Sequence, residues 1–245
     1  MKNDFFALYD AIAAGVESRE TIERAVPGER WALVETERSA GMAMFTAGHS
    51  VEPLYPTLEG LPLREAARAV KSWNFEEASL GLAAANAFYN TAERIDALGV
   101  RSTMDIYSTE GIDLRGLTVG IVGHMKGPKG LREQARAVYI LEREPQEGDY
   151  PDSACDLILP QCDLVLMSGS TITNKTLPHL LELCEKARVI LQGPSVPLCP
   201  ELLELGIERI TGMAIADRAA IRERVEQGLR GSPYGAGIPF LLKRK

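Results

Sequence analysis

The sequence predicts an α/β protein whose C-terminal part is a mostly parallel sheet flanked by helices. Three observations carry this. Leu117 to Val122 (LTVGIV) is a short, continuous apolar run rich in β-branched residues, the pattern of a strand buried on both faces. The run breaks at Gly123, passes through Lys126-Gly127-Pro128-Lys129-Gly130 and enters the helix-forming LREQARA, which is how a strand-to-helix crossover begins. From there strands and helices alternate, and alternation of that kind builds a parallel sheet with right-handed crossovers.

Taken in order, Asp4 to Val16 places Phe5, Leu8, Ile12 and Val16 at amphipathic-helix spacing. A short helix is expected around Arg19 to Ala25. Arg30–Glu37 and Gly41–Ala47 read as two strands of a hairpin, joined by Arg38-Ser39-Ala40 with Gly41 supplying the turn. A proline-bearing loop, Val51 to Gly60, follows. The longest predicted helix runs from Phe75 to Leu98, with Asn74 as N-cap and Glu77 as capping-box partner. Its middle, SLGLAAANAFYN, is small and apolar almost all round, so it belongs between other elements. Asn86 and Asn90 lie one turn apart on it. A buried asparagine needs partners: either they tie neighbouring backbone together, or Asn86 reaches a ligand where the two halves meet.

Gly99 to Gly116 is short, polar and aperiodic, and divides the chain into an expected N-terminal domain (1–110) and C-terminal domain (111–245). Beyond it, strands are expected at Leu117–Val122, Ala137–Leu141, Leu164–Met167, Arg188–Leu191 and Ile207–Ile210. Helices are expected near Lys129–Arg136, Asp152–Leu157, Leu177–Ala187, Pro200–Leu205 and Asp217–Leu229. The tail GSPYGAGIPFLLKRK reads as docked or loosely ordered.

Composition narrows the function. Hydrophobic residues make up 45% and charged residues 25% of 245, as in a soluble globular protein, and the formal charge of -7 argues against a nucleic-acid partner. No apolar run reaches membrane-spanning length and MKNDFFALYD lacks a signal-peptide core, so a cytoplasmic protein is expected. Cys155, Cys162, Cys184 and Cys199 show no CxxC spacing and read as buried thiols, Cys155 alone being kept as a ligand candidate.

In an open parallel sheet, ligands bind outside the carboxyl ends of the strands. Those ends carry Gly123-His124, Glu142, Ser168-Gly169-Ser170, Gly193-Pro194-Ser195 and Thr211-Gly212, so small and hydroxyl residues recur. The first loop is neither GxGxxG nor a phosphate loop, because Pro128 and Gly130 replace the last glycine and the hydroxyl, yet Lys126 and Lys129 suit an anion cradle. Glu142, 19 positions after Gly123, falls where an acid takes ribose hydroxyls in dinucleotide-binding sheets. His124 follows the first strand and is the general-base or metal-ligand candidate. His179 is assigned a structural role, and His49 matters only if the first domain leans over the crevice.

Several stretches together resemble one family: Ser79–Asn90, Val119–Met125, Leu141–Ala154, Cys162–Thr176 and Gly193–Gly212. The sequence is similar to the "putative heavy-metal chelation" family. That resemblance implies an α+β domain like the N-terminal domain of enolase, followed by a Rossmann-like domain, with a site between them. The family's Thr-Gly turn stands here as Ser168-Gly169, and its Asn-Gly-Thr as Asn174-Lys175-Thr176, where the lysine adds positive charge. The expected function is binding of a small anionic molecule, with a divalent metal ion, in that cleft. His124 would act as base or metal ligand and Glu142 as metal ligand or hydroxyl acceptor. Gly123, Lys126, Ser168, Gly169, Ser170, Asn174, Thr176, Gly193, Ser195 and Gly212 would line the pocket, with Asn86 approaching from the first domain. The alternatives are a nucleotide-dependent enzyme using NAD or S-adenosylmethionine, and a non-catalytic carrier of metal-containing cofactors. A homodimer is compatible with all three.

Overall fold

The computed structural model describes residues 5–48, 51–102, 107, 109–125 and 127–244. The N-terminal half starts with helix α1 (Ala7–Ala14) and an antiparallel sheet of β1 (Ile22–Pro27), β2 (Trp31–Thr36) and β3 (Ala40–Met44). The expected β2–β3 hairpin forms, with Trp31 opposite Met44 and Glu35 opposite Ala40, but Gly41, expected in the turn, lies inside β3 opposite Val34. The stretch expected as a short helix is instead strand β1, paired with β2 from Ile22↔Thr36 to Pro27↔Ala32. Glu23, Arg24 and Ala25 favour a helix locally, but pairing with a fully buried strand overrides so weak a preference.

Helix α2 (Leu63–Ala66) runs on as a 3-10 turn, Ala67–Lys71, and leads to α3 (Phe75–Tyr89). Asn74 caps α3 as expected, its Oδ1 accepting from Glu77 N at 3.1 Å. The Glu77 carboxylate does not turn back to complete the box. It accepts from Leu54 N (2.7 Å) and Tyr55 N (2.8 Å) and pins the proline-bearing loop. The small residues of α3 let it lie directly on β3. A Cβ on Gly41 would fall 2.1 Å from Ala87 N and 2.2 Å from Ala83 O, so only glycine permits this approach. The expected long helix breaks at Asn90, and α4 (Ala92–Ala97) restarts with Thr91 Oγ1 accepting from Arg94 N at 3.3 Å.

Among the described residues, the second sheet holds β4 (Arg101–Ser102), β5 (Thr118–Val122), β6 (Ala137–Glu142), β7 (Tyr150–Pro151), β8 (Leu164–Ser168), β9 (Arg188–Gln192), β10 (Arg209–Ile215) and β11 (Gly237–Lys243). Their spatial order is β4-β11-β10-β9-β8-β5-β6-β7. From β5 to β10 all neighbours are parallel, and the order reverses between β5 and β8, as in a dinucleotide-type doubly wound sheet. The helices between them are short: α5 (Leu131–Gln134), α6 (Cys155–Ile158), α7 (Ser170–Thr173) and α8 (Leu177–Leu183); α9 (Arg218–Glu226) follows β10. Pro200–Leu205, expected as a helix, is a 3-10 turn. The tail is ordered as β11, antiparallel to β10 with Phe240 fully buried. Among the described residues no helix is long and apolar enough to cross a membrane.

One face of the parallel sheet packs into a core continuous with that of the N-terminal half, joining Val122, Met167 and Leu191 to Leu82, Ala84 and Tyr9. Helix α9 closes the other side of the small sheet, where Ile221 and Val225 meet Trp31 and Leu33. There the buried Glu35 accepts from Arg222 Nε (2.8 Å) and Nη2 (2.9 Å), so the C-terminal half grips the N-terminal sheet from two directions.

Candidate functional site

Two groups of predicted site residues occupy different places. The first gathers at the reversal of strand order. Gly123, at φ 103°, ends β5 in a conformation that favours glycine, and a Cβ there would lie 3.0 Å from that of Ser168 at the end of β8. Ser168 Oγ lies 2.9 Å from Ser170 Oγ, pairing two hydroxyls beside the β5 loop. His124 is held from the β6 side. Its backbone N donates to Glu142 Oε2 at 2.5 Å, and its Nδ1 lies 2.8 Å from Asp149 Oδ2. The other oxygen of Glu142 accepts from Arg143 N at 2.7 Å, so this carboxylate anchors the end of β5 to the end of β6. The Asp149 carboxyl is held below its ordinary range, first by the backbone N–H of Gln146 and then by His124.

Gln192 lies in register with Ser168 on one side and Thr211 on the other. Its Nε2 reaches Met125 Sδ at 3.2 Å, across the end of β8, while its Oε1 is buried with no partner among the described residues. An orphaned buried acceptor is costly, and it sits here under the strand ends where a ligand would lie.

The second group forms the seam between the halves. Ser195 Oγ accepts from Met44 N at 2.7 Å. Asn86 Nδ2 donates to Met42 O (2.8 Å) and Ser195 O (3.0 Å). Thr46 Oγ1 and Thr173 Oγ1 are 2.8 Å apart. Asn174 Oδ1 accepts from the N (3.1 Å) and Oγ1 (2.7 Å) of Thr176, closing a local turn. Between them Lys175 adopts φ 65° and points into the N-terminal half. Its Nζ donates to Val70 O at 2.6 Å and lies 4.7 Å from the centre of the Tyr9 ring. Burial pushes its pKa down to about 7. The extra charge in this loop therefore serves the seam instead of the strand ends. Gly169 N donates to Gln192 O (2.9 Å), and its α-carbon packs on Val196 and Ser195. Gly193 has φ 118°, and Gly212 gives room to Phe240 and Val196 O inside the sheet.

Of the expected anion cradle, Lys126 lies outside the described residues, as does His49, and Lys129 is exposed. Helix α5 is a single turn entered through left-handed Gly130, too short to build the anion-binding helix start that the sequence suggested. His179 Nε2 pairs with Asp156 Oδ1 at 3.0 Å on the surface. The four cysteines are buried free thiols. Burial above all pushes Cys162 up to about 11 and Cys155, Cys184 and Cys199 to about 12. Among the described residues, no three His, Cys, Asp or Glu side chains come together as a metal cage. A surface hollow of about 760 Å³ lies apart from these groups, beside α1 and the Arg64–Lys71 segment.

Sequence reasoning missed Asp149 and Gln192. Asp149 is one of several acids in EREPQEGDYP, and nothing in the spacing sets it apart. Gln192 lies one residue beyond the expected end of its strand.

The comparisons with known proteins agree with this architecture. Two family descriptions, each worded "Putative heavy-metal chelation", match residues 9–89 and 111–238. A crystal structure of a protein of unknown function from the DUF364 family of Desulfitobacterium hafniense is 34% identical. It superposes with a TM-score of 0.85 over 98% of this chain and 99% of that one. A DUF364 protein of Pyrococcus horikoshii shares the fold, at 24% identity and a TM-score of 0.78 over 97% and 100% of the two chains. An uncharacterized protein of Methanocaldococcus jannaschii is 28% identical over 162 residues, 63% of this chain; the match spans 61% of that protein's length. With both halves matched and a third of its residues shared end to end with a member of known structure, the chain belongs to the family described as "Putative heavy-metal chelation".

Proposed function

We propose that the protein binds a small anionic molecule together with a divalent metal ion where β5, β6 and β8 end, handling the metal as a chelate. The observation that carries this reading is the tie between Glu142 and the backbone of His124, beside the paired hydroxyls of Ser168 and Ser170 at the strand-order reversal. Ligands of doubly wound sheets enter at that point. The family description, "Putative heavy-metal chelation", supports the metal part of the reading.

The donor set fits such a chelate. Among the described residues the His124 ring is engaged through Nδ1 alone, so Nε2 would be available to a metal, and imidazole suits zinc, copper, iron and nickel. Glu142 keeps lone pairs beyond the two backbone hydrogen bonds it accepts. With His124 and Glu142 holding the metal, its remaining coordination positions would fall to oxygens of the small molecule and to water. The hydroxyls of Ser168 and Ser170 would hold its anionic group.

The test is to purify the protein from metal-supplemented medium and measure bound metal alongside native mass spectrometry. One metal per chain with a co-bound small molecule is expected, with the metal lost in His124→Ala. Full metal content in both His124→Ala and Glu142→Ala would remove both residues from this role.

The order of the parallel strands favours one further reading, a site for NAD or S-adenosylmethionine. Thermal-shift titration decides it, because ligand at 100 times its dissociation constant adds about 2.7 kcal/mol. No shift with either compound would reject it.

A further inference from the structure

We propose that Asp149 is a positioning residue that fixes the tautomer of His124, holding hydrogen on Nδ1 and turning the lone pair of Nε2 outward. The inference rests on the metal-chelate reading above for its purpose, but its geometry stands by itself. His124 Nδ1 lies 2.8 Å from Asp149 Oδ2. The Asp149 side chain is 3% exposed and that of His124 is 44% exposed, so the ring is anchored at its inner nitrogen while its outer edge faces solvent.

The carboxylate is placed before the ring reaches it. Asp149 Oδ2 also accepts from Gln146 N at 3.1 Å, and Asp149 N donates to Gln146 O at 2.9 Å, which closes a tight turn ahead of β7. The other end of His124 is fixed separately, by its backbone N–H to Glu142. Main chain and ring are thus held by two different acids from the β6–β7 side. An ionised carboxylate has only acceptors, so the nitrogen facing it must carry the hydrogen. A neutral imidazole then has its lone pair on the opposite nitrogen. Metal-binding histidines are oriented in this way by partners that do not touch the metal.

The experiment is long-range ¹H–¹⁵N spectroscopy of the imidazoles in the full, metal-free chain at about pH 9, where an ordinary imidazole is neutral. The expected result is a single His124 tautomer with hydrogen on Nδ1. Asp149→Ala should release it to a mixture of tautomers, whereas Asp149→Asn keeps an oxygen able to accept from both Gln146 and His124 and should retain the wild-type pattern. Unchanged amide shifts outside the two loops would show that the fold survives. Titration with Zn²⁺ alone gives the second readout: Asp149→Ala should bind about 10- to 100-fold more weakly, with Asp149→Asn between it and wild type. Hydrogen on Nε2 in the wild type, or the same tautomer in Asp149→Ala, overturns the proposal. A fixed Nδ1–H tautomer without zinc binding would uphold it and reject the metal reading, and zinc binding to a ring of mixed tautomers would do the reverse.

Discussion

The side-chain amide of Asn86 donates to the carbonyl of Ser195, 3.0 Å away in the other half of the chain, and also to Met42 O in its own half. One turn further, at the C-cap of α3, Asn90 donates to Val196 O at 3.0 Å and accepts from Leu198 N at 2.7 Å. These two residues grip the backbone from Ser195 to Leu198 much as a neighbouring strand would. Helix α3 is therefore the common wall of the two halves, and its asparagines replace the hydrogen bonds that an irregular buried segment lacks.

Removing either amide should lower stability without altering the isolated secondary structure. Asn86→Ala and Asn90→Ala each strand buried backbone groups and should cost about 2 kcal/mol in urea denaturation. Because they hold one segment, the double variant should depart from the sum of the single costs. Strict additivity would mean that the two asparagines act on separate units.

Gly41 sits under the backbone of α3, with Ala87 N and Ala83 O about where a side chain would begin. Gly41→Ala should cost about 3 kcal/mol or more, since neither helix nor strand can move without disturbing its own hydrogen bonds. Gly60→Ala is the control. Gly60 has φ +84° and a Cβ there would meet nothing within 4 Å among the described residues, so the variant should lose only about 1 kcal/mol, from backbone conformation. Equal thermal shifts for the two variants would contradict the packing argument.

Lys175 makes stability depend on pH in a direction that can be worked out. In the folded chain, burial brings its pKa down from the ordinary lysine value of 10.5 to about 7. Between those values the unfolded chain holds a proton that the folded chain has lost, so stability rises with pH across that window. Below it both states are charged, and the folded state bears the full cost of the buried cation. Lys175→Met removes this contribution. Relative to wild type the variant should be more stable at about pH 6, and the advantage should shrink steadily towards about pH 10. Urea denaturation of both proteins at several pH values measures the gap, and a gap that stays constant would exclude Lys175 as its source.

The buried thiols should be silent in the native state. With Cys155, Cys184 and Cys199 pushed to about 12 and Cys162 to about 11, little thiolate exists at neutral pH and each sulfur is shielded. A colorimetric disulfide reagent should titrate four thiols in guanidinium and almost none in buffer. Rapid native reaction at Cys155 would restore it as a candidate metal ligand.

How much of this was legible in the sequence depended on where each element finds its partners. Strands β5, β8 and β9 are buried on both faces, and their unbroken apolar runs announce them. Asn74 announces the start of α3 because a cap acts within one turn. Strand β1 was hidden, since most of its side chains stay partly exposed and its identity comes from the strand beside it. Strand β11 was hidden for the same reason, as GIPFLL means little until β10 lies alongside. At the candidate site, strand ends and glycines could be read, whereas the contacts of Asp149 with His124 and of Gln192 with Met125 join residues 25 and 67 positions apart. The break at Asn90 was equally invisible, because the side chain that ends the helix is bound to residues far along the chain.

The pairing of β4 with β11 has a consequence for how the protein is made. Arg101 and Ser102 leave the ribosome long before their hydrogen-bonding neighbours in the sheet, Leu241 and Phe240, are synthesised. The N-terminal sheet and α3 hold partners close in sequence and can assemble while translation continues. Segment 195–198 and strand β11 arrive later, so the nascent N-terminal unit waits with the polar flank of α3 uncovered. Stalling before residue 195 should leave a species that is folded at its front and sticky along one side.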